Sequence, residues 1–151
     1  MRPDVKRAVI QDLPQLIAMR AHLFTDLSDE EQEEEVMHFL QDPNYRFWLA
    51  WQGEAVVGFV EASVRPYANG CDSRPVPFLE GIWVKPEQRD QHVGQALVMA
   101  VEAWARDLGF HELGSDVEIC NLRSQAAHQA WGFEERETVV YYRRLLPSAA
   151  E

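Results

Sequence analysis

The strongest constraint on the fold is a long amphipathic helix placed between two apolar strands. Residues 92–108 carry an apolar stripe at helical spacing, and Gly109 follows where a helix commonly ends. Strand patterns precede this helix at 77–84 and follow it at 112–117. A strand, a crossover helix and a second strand predict two parallel strands in one sheet. The stripe consists of Val93, Leu97, Ala100, Val101, Trp104 and Leu108.

Other strands and helices surround that unit. Gly53-Glu54 forms a hairpin turn, so the strands that flank it are predicted to pair antiparallel. Ser28 and Glu31 form a capping-box pattern for a helix that ends near Asp42. The predicted strands are 6–10, 45–52, 55–64, 77–84, 112–117 and 133–146, and the predicted helices follow Asp12, Ser28, Arg89 and Asn121. The pattern indicates an α/β (α+β) chain, with a central mixed sheet flanked by helices in a single domain over 1–151.

The charge balance restricts the class of partner. The chain carries 25 acidic and 14 basic residues, for a net charge of -11. This argues against nucleic acid and anionic membranes as partners, and it fits either a polycationic ligand or a role in solubility. The apolar runs are too short to span a membrane, and the first residues lack a signal-peptide core, so a cytoplasmic location is expected. Cys71 and Cys120 have no metal-type spacing and are predicted to be free thiols.

A carboxylate in an apolar strand points to chemistry. Glu80 lies between Leu79 and Gly81 in the strand pattern of 77–84, after a turn-rich loop. A buried carboxylate costs several kcal/mol unless it is paired, protonated or facing a polar cavity. Strict alternation places Glu80 on the same face as Ile82 and Val84. It is predicted either to anchor a cationic ligand or to form a structural ion pair with Arg65 or Arg74.

The turn RDQHVGQAL comes next and opens the long helix. The first N–H groups of a helix have no partner within it, so they are suited to hold an anion such as a pyrophosphate. Taken alone, the turn is more typical of an ordinary loop and helix start than of an anion site.

The order of these motifs resembles the GCN5-related N-acetyltransferase (GNAT) family. That family binds acetyl-coenzyme A with a Q/R-x-x-G-x-G/A turn, in which Arg89 matches the Q/R, Gly94 the G/A, and His92 the position of the first glycine. Asn121 and the pair Gly132-Phe133 match a second segment on the cofactor side. Within the family, the run YANGCDSRPVPFLEGIWV, the Ser115-Asp116 pair and HQAWGFEERETVVYYRR are similar to the aminoglycoside 6′-N-acetyltransferases.

The resemblance implies roles for individual residues. It implies acetyl-coenzyme A as co-substrate, a small polycationic amine as acceptor, and no metal. Glu80 and Asp116 would bind the amine and take its proton, with Tyr142 near the thioester and Tyr67 and Asp72 along the sugar site. The implied contacts with acetyl-coenzyme A are Ile82, Trp83, Val84, Arg89, Gln91, His92, Val93, Gly94, Gln95, Asn121 and His128.

The chain departs from the family pattern at two histidines. His92 places a side chain where the family has a glycine, so a positive φ there would strain the backbone. His128 stands where many relatives carry a tyrosine that protonates the departing thiolate, which leaves the general acid unassigned. Two alternatives therefore stay open: an acetyltransferase for a polyamine, another small amine or a protein N-terminus, or an inactive binding module. The resemblance also implies a homodimer that forms through C-terminal strands at 139–145.

Overall fold

The computed structural model, which describes residues 2–89 and 92–149, contains a five-stranded mixed sheet. The strands lie side by side in chain order. They are β1 (Asp4–Arg7), β2 (Tyr45–Gln52), β3 (Ala55–Arg65), β4 (Val76–Val84) and β5 (Gly114–Ser115). The α-helices in the described ranges are α1 (Leu13–Arg20), α2 (Asp29–Leu40), α3 (Val93–Asp107) and α4 (Leu122–Ala130).

The strand directions agree with the prediction from the sequence. β1 to β4 pair antiparallel in succession, and β4 pairs parallel with β5 across the helix α3. Gly53 closes the turn between β2 and β3 with a φ of 60°, a left-handed conformation that glycine adopts without a steric penalty. Mixed pairing therefore follows from one tight hairpin and one long crossover.

The sheet is covered on both faces. On one face α3 packs against a core that includes Trp48, Val60, Leu79, Leu97 and Val101. On the opposite face α1 and α2 pack against a second core that includes Leu16, Val36, Phe47, Leu49 and Phe59. Because both faces are buried, the central strands are apolar nearly throughout.

Local capping fixes the helix boundaries. The Ser28 side chain accepts a hydrogen bond from the Glu31 N–H at 3.1 Å, and the Glu31 carboxylate accepts one from the Ser28 N–H at 3.0 Å. Asn121 caps α4 through the N–H of Ser124 at 3.1 Å. Gly109 ends α3 with a φ of 90°. These predicted caps are confirmed.

The first strand lies earlier than predicted. The sequence predicted 6–10, whereas the structure has Asp4–Arg7 followed by a 3-10 turn over Ile10–Asp12. The Asp12 carboxylate accepts a hydrogen bond from the Val9 N–H at 2.9 Å, which bends the chain out of the sheet. A side-chain contact three residues away therefore overrides the strand pattern.

A bulge in β4 overturns the predicted orientation of Glu80. Glu61 pairs with Gly81, but its neighbour Ala62 pairs with Leu79, so Glu80 is an extra residue between two pairs. Leu79, Ile82 and Val84 pack on the α3 side of the sheet. Glu80 instead lines a groove on the side of α1 and α2. The prediction that Glu80 shares a face with Ile82 and Val84 was wrong, because it assumed unbroken alternation.

The C-terminal region also differs from the prediction. Instead of strands over 112–117 and 133–146, the structure has the two-residue β5 and a segment 134–149 without helix or strand, here named the C-terminal arm. β5 pairs with β4 only at Phe78 and Leu79, which directly precede the bulge. A strand needs a neighbouring strand to be stable, and the arm has none within the described part of this chain.

Two further properties concern cysteines and membrane segments. Cys71 and Cys120 are both free thiols, as predicted. Among the described residues, no helix is long and apolar enough to cross a membrane.

Candidate active site

A groove of about 520 Å³ lies between the sheet and the helices α1 and α2, and Glu80 is on its wall. Acidic and basic groups from five segments of the chain converge there. The lining residues are Arg20, Phe24, Glu35, Phe39, Asp42, Asn44, Tyr45, Ser63, Val64, Arg65, Pro66 and Glu80. The bulge in β4 is what brings the Glu80 carboxylate into this groove.

Glu80 is held by two neighbours from β3. The Ser63 hydroxyl donates to Oε1 at 2.6 Å, and the Arg65 guanidinium donates to Oε1 and Oε2, each at 2.7 Å. The guanidinium also lies over the ring of Phe78 at 3.6 Å. Glu80 is thus a fixed carboxylate on the groove wall, and Arg65, one of the two ion-pair partners considered from the sequence, is its partner.

Asp116 is exposed and follows β5 directly. The hydrogen bond with Glu80 is the main reason why the pKa of Arg65 is raised, and the negative charge of Asp116 adds to this effect. Asp116 also opposes the depression of the pKa of His128. The structure therefore brings both predicted acids into the electrostatic environment of one guanidinium.

His128 is buried and hydrogen-bonded at both ring nitrogens. Nδ1 lies 2.8 Å from the carbonyl oxygen of Ser124, so Nδ1 carries the proton and donates it. Nε2 lies 2.7 Å from the Ser115 hydroxyl and accepts from it. Burial lowers the pKa of His128, which favours this neutral form. His128 is consequently fixed by β5 and its own helix, with no N–H directed at a third group.

Arg20 and Glu35 of the groove lining belong to a buried charged cluster that was not predicted from the sequence. Arg20 is 1% exposed and Glu61 is 0% exposed, and the guanidinium Nε lies 3.2 Å from Oε2 of Glu61. Arg20 also donates to Gln32 at 2.8 Å and to Glu35 at 2.7 Å. Burial raises the pKa of Glu61 to about 7, while Arg20 opposes that shift. One guanidinium thus joins α1, α2 and β3 under the groove.

Glu61 could have been identified from the sequence in the same way as Glu80. Both are acids in an apolar strand pattern, EAVVGFVEASV for Glu61 and FLEGIWV for Glu80. Arg20, in contrast, is 41 residues from Glu61 along the chain, and its basic character alone does not distinguish it from a surface arginine. Sequence could therefore have found the acid but not its partner.

The turn before α3 is defined by its backbone conformation and by one side-chain hydrogen bond. His92 precedes α3 with a φ of 62°, the left-handed conformation that a glycine at this position would adopt without strain. The Arg89 side chain donates to the Val84 carbonyl at 3.1 Å, which ties the turn to β4. Gln91, a predicted contact with acetyl-coenzyme A, lies outside the described residues.

The other predicted contacts with acetyl-coenzyme A lie near this turn or on α4. Val93 is buried in the core, Gln95 is exposed, and Asn121 caps α4. β4 pairs with β5 only as far as Leu79, so beyond that residue this edge of β4 has no partner strand in the described part of the chain. The free edge includes Ile82, Trp83 and Val84. A free strand edge beside the start of a 15-residue helix fits an extended ligand that ends in a pyrophosphate.

Gly94 permits close packing between α3 and α4. A Cβ at this position would lie 2.7 Å from Cζ2 of Trp131. We expect Gly94→Ala to lower the free energy of unfolding by about 1–3 kcal/mol, as overpacking does, measured by urea denaturation. Repeating the substitution with Trp131→Phe is the control, because the smaller ring makes room and should reduce the cost. An equal cost in both backgrounds would contradict this contact as the cause.

Four residues predicted to lie around the amine are outside the groove lining: Tyr67, Asp72, Asp116 and Tyr142. Tyr67 is 60% exposed, with the Arg74 guanidinium 5.7 Å from its ring centre. Asp72 is exposed, and its N–H donates to the Glu112 carboxylate at 3.0 Å. Tyr142 is 92% exposed on the C-terminal arm. Glu80 therefore lines the groove, whereas Asp116 and Tyr142 are exposed residues outside its lining.

Comparison with known proteins gives consistent matches. The acetyltransferase (GNAT) family model matches residues 13–133. The chain is 40% identical over 150 residues to an aminoglycoside N(6′)-acetyltransferase type 1 of Stenotrophomonas maltophilia, covering 98% of this chain and 97% of the relative. It is 40% identical over 149 residues to a protein of the same name from Klebsiella aerogenes, covering 95% and 97%.

A solved structure has the same fold. It is AAC(6′)-Iy in complex with the bisubstrate analogue CoA-S-monomethyl-acetylneamine, and it superimposes with a TM-score of 0.91 at 35% sequence identity. The match covers 97% of this chain and 100% of that chain.

Proposed function

Because the chain belongs to the GNAT family of acetyltransferases, we propose that it transfers an acetyl group from acetyl-coenzyme A to the 6′-amine of aminoglycoside antibiotics. One observation carries this proposal: a bulge turns Glu80 into the groove at the point where β4 and β5 separate. An aminoglycoside carries several amines, which can donate hydrogen bonds to the groove carboxylates of Glu35, Asp42 and Glu80. Two of these carboxylates are paired with guanidinium groups, Glu35 with Arg20 and Glu80 with Arg65. Acetylation of the 6′-amine would confer resistance to the antibiotic.

The residues around α3 would bind the acetyl donor. The first N–H groups of α3 and the Arg89 side chain would hold the pyrophosphate, and the free β4 edge at Ile82, Trp83 and Val84 would hold the extended arm. A backbone N–H of that edge would donate to the thioester oxygen as it gains charge. Acetyl-coenzyme A supplies an activated acyl group with a thiolate as its leaving group. The solved relative contains a CoA-based analogue, which supports this assignment.

The chemical task of the protein is to remove a proton from the amine. An alkyl amine has a pKa of about 10.4, so only about one in 10³ is neutral at pH 7, equivalent to roughly 4 kcal/mol. The neutral nitrogen attacks the carbonyl carbon, the C–S bond breaks, and the nitrogen loses a proton while the sulfur gains one. Glu80 and Asp116 would accept the amine proton, directly or through water.

The test of this function is a thiol-release assay over a panel of acceptors. With acetyl-coenzyme A, we expect free thiol to form rapidly with kanamycin and tobramycin, and slowly with spermidine or a peptide that has a free N-terminus. Preference for spermidine or the peptide would replace the aminoglycoside by another amine. Calorimetry that shows aminoglycoside binding but no acetyl-coenzyme A binding would identify an inactive binding module.

We propose further that two copies form a homodimer by exchanging their C-terminal arms. The arm is apolar yet exposed in the single chain: Val139, Val140, Tyr141, Tyr142, Leu145 and Leu146 are 50%, 69%, 82%, 92%, 75% and 81% exposed. An exposed apolar segment of this length marks an interaction surface. The two-residue β5 is the last strand of the sheet, so a partner's arm can add there as a strand.

We expect light scattering after size-exclusion chromatography to give twice the mass of one chain. Deletion of residues 138–151 should yield a monomer, because it removes the exchanged segment. Deletion of 148–151 alone is the control and should leave the dimer intact. A full-length chain that is monomeric at micromolar concentration would contradict the exchange.

The compartment proposed for this enzyme is the cytoplasm. Cys71 and Cys120 are free thiols, which is typical of proteins in a reducing compartment.

A further inference from the structure

Arg65 occupies a central position in the groove that the proposed chemistry does not yet use. Its guanidinium makes two 2.7 Å hydrogen bonds with Glu80 and lies 3.6 Å over the ring of Phe78. Its backbone belongs to β3 and pairs with Val76 of β4. The guanidinium is therefore fixed by its strand, by the Phe78 ring and by the Glu80 carboxylate. Its other side faces the solvent in the groove.

The pairing limits what Glu80 can accept. Oε1 receives hydrogen bonds from Ser63 and Arg65, while Oε2 receives one from Arg65. A carboxylate has about four acceptor positions, so one remains, on Oε2. The charge of Glu80 is already balanced by Arg65. The free position therefore suits one N–H of a bound amine better than it suits the full charge of an ammonium group.

We propose that Arg65 is a positioning residue for the acetyl transfer. It aims the free acceptor position of Glu80 at the amine, and its positive charge favours the neutral, nucleophilic form of that amine. This inference rests on the proposed function, because it takes the reactive amine to lie at Glu80. A cation beside an amine disfavours its protonated form. The amine then reaches its neutral form at a lower pH than it does in water.

Other charges around the site set the background against which Arg65 acts. Glu80 and Asp116 are the acids whose charges act on Arg65 most strongly. Burial raises the pKa of Tyr45 from β2, and the charges of Glu61 and Glu80 add to this rise, so Tyr45 is neutral. The remaining charged groups that face the groove or lie beneath it are Arg20 from α1, Glu35 from α2, Asp42 after α2, and Glu61 from β3. All of them are unchanged when Arg65 alone is substituted.

The test is the pH dependence of kcat and KM for kanamycin in Arg65→Gln and Arg65→Lys. In Arg65→Gln we expect the rise of kcat with pH to occur about one pH unit higher than in the wild type. Near pH 7 kcat should therefore be about tenfold lower, and above pH 9 it should recover. KM should not rise, because the unpaired Glu80 attracts the ammonium form. Arg65→Lys keeps the charge and should keep the rise of kcat close to that of the wild type.

Arg46→Gln is the matched control. Arg46 also places its guanidinium over an aromatic ring, that of Trp104 at 5.7 Å, but on the α3 side of the sheet. It should leave the pH profile unchanged. To show that this rise of kcat reports the amine, the wild-type pH profile is repeated with acceptors whose amines have different pKa values. The pH at which kcat rises should shift with the pKa of the acceptor amine.

Two results would overturn the proposal. One is a rise of kcat at the same pH in the wild type and Arg65→Gln, with kcat reduced equally at every pH, which indicates a merely structural role. The other is a rise of kcat that does not follow the pKa of the acceptor amine. Failure of the proposed function is distinguishable from both, because in that case the wild type itself releases no thiol with aminoglycosides.

Discussion

Substitution of Glu80 by glutamine is expected to lower kcat/KM for an aminoglycoside by about 10²-fold, the range for loss of a positioned proton acceptor. Glutamine preserves the shape of the side chain, and its amide oxygen still accepts from Ser63 or Arg65. It carries no charge and cannot take the amine proton. Most of the loss should therefore appear in kcat, measured by thiol release at saturating acetyl-coenzyme A.

The control for this substitution is Glu54→Gln. Glu54 is an exposed carboxylate in the turn between β2 and β3, so the same loss of charge occurs away from the groove. It should leave kcat/KM within a factor of two or so, as expected for a surface change. Wild-type kinetics in Glu80→Gln, with the fold intact by circular dichroism, would remove Glu80 from the chemistry.

Substitution of Arg20 by alanine should produce the largest loss of stability. Glu61 is 0% exposed, and Arg20 is its cationic partner among the described residues. Removal of one member of a buried ion pair costs about 3–5 kcal/mol, because the other charge remains buried without a partner. Gln32 and Glu35 lose their hydrogen bonds to the same guanidinium. The measurement is the free energy of unfolding in urea.

The pH dependence of this loss has a definite sign. Without Arg20, burial is the largest influence on Glu61 and holds its pKa in the folded state above the unfolded value of about 4.3, while a hydrogen bond from Tyr45 opposes the rise. Protonation then stabilises the folded state below that raised pKa, and the stabilisation is lost as the pH rises through it. The deficit of Arg20→Ala should therefore be smaller at pH 5 than at pH 8.

Arg106→Ala provides the comparison for Arg20. Arg106 forms an exposed ion pair with Glu102 at 3.6 Å, four residues apart on α3. Exposed pairs of this kind contribute less than about 1 kcal/mol. The combination of Arg20→Met with Glu61→Gln should recover part of the loss, because the fully buried charge of Glu61 is removed and Glu35, which loses its partner, is partly exposed. Equal losses from Arg20→Ala and Arg106→Ala would show that the buried cluster contributes no more to the free energy of unfolding than an exposed ion pair does.

Features set by neighbours in sequence were predictable here. Helix α3 follows from its apolar stripe, the start of α2 from Ser28 and Glu31, and the β2–β3 hairpin from Gly53. Each depends on residues within one or two turns of chain. The sequence therefore predicted most of the sheet order and three of the helix boundaries.

Features set by contacts between strands were not predictable in the same way. Glu80 was identified as an unusual acid, but its face was wrong because a bulge depends on how β3 and β4 align. The roles of Asp116 and of the turn at Arg89 were assigned from their motifs, and they stay predictions. The C-terminal arm has strand-forming residues, yet strand formation needs a partner that its sequence does not specify. Strand pairing between distant segments could therefore not be predicted from the sequence.

A pair of antibiotics tests the central claim most directly. Neomycin and paromomycin differ at the 6′ position, where neomycin carries an amine and paromomycin a hydroxyl. Thiol release from acetyl-coenzyme A is measured with each compound at equal concentration. We predict rapid release with neomycin and none above background with paromomycin. Equal release with the two compounds would show that the acetyl group goes elsewhere, and no release with either would contradict the aminoglycoside as acceptor.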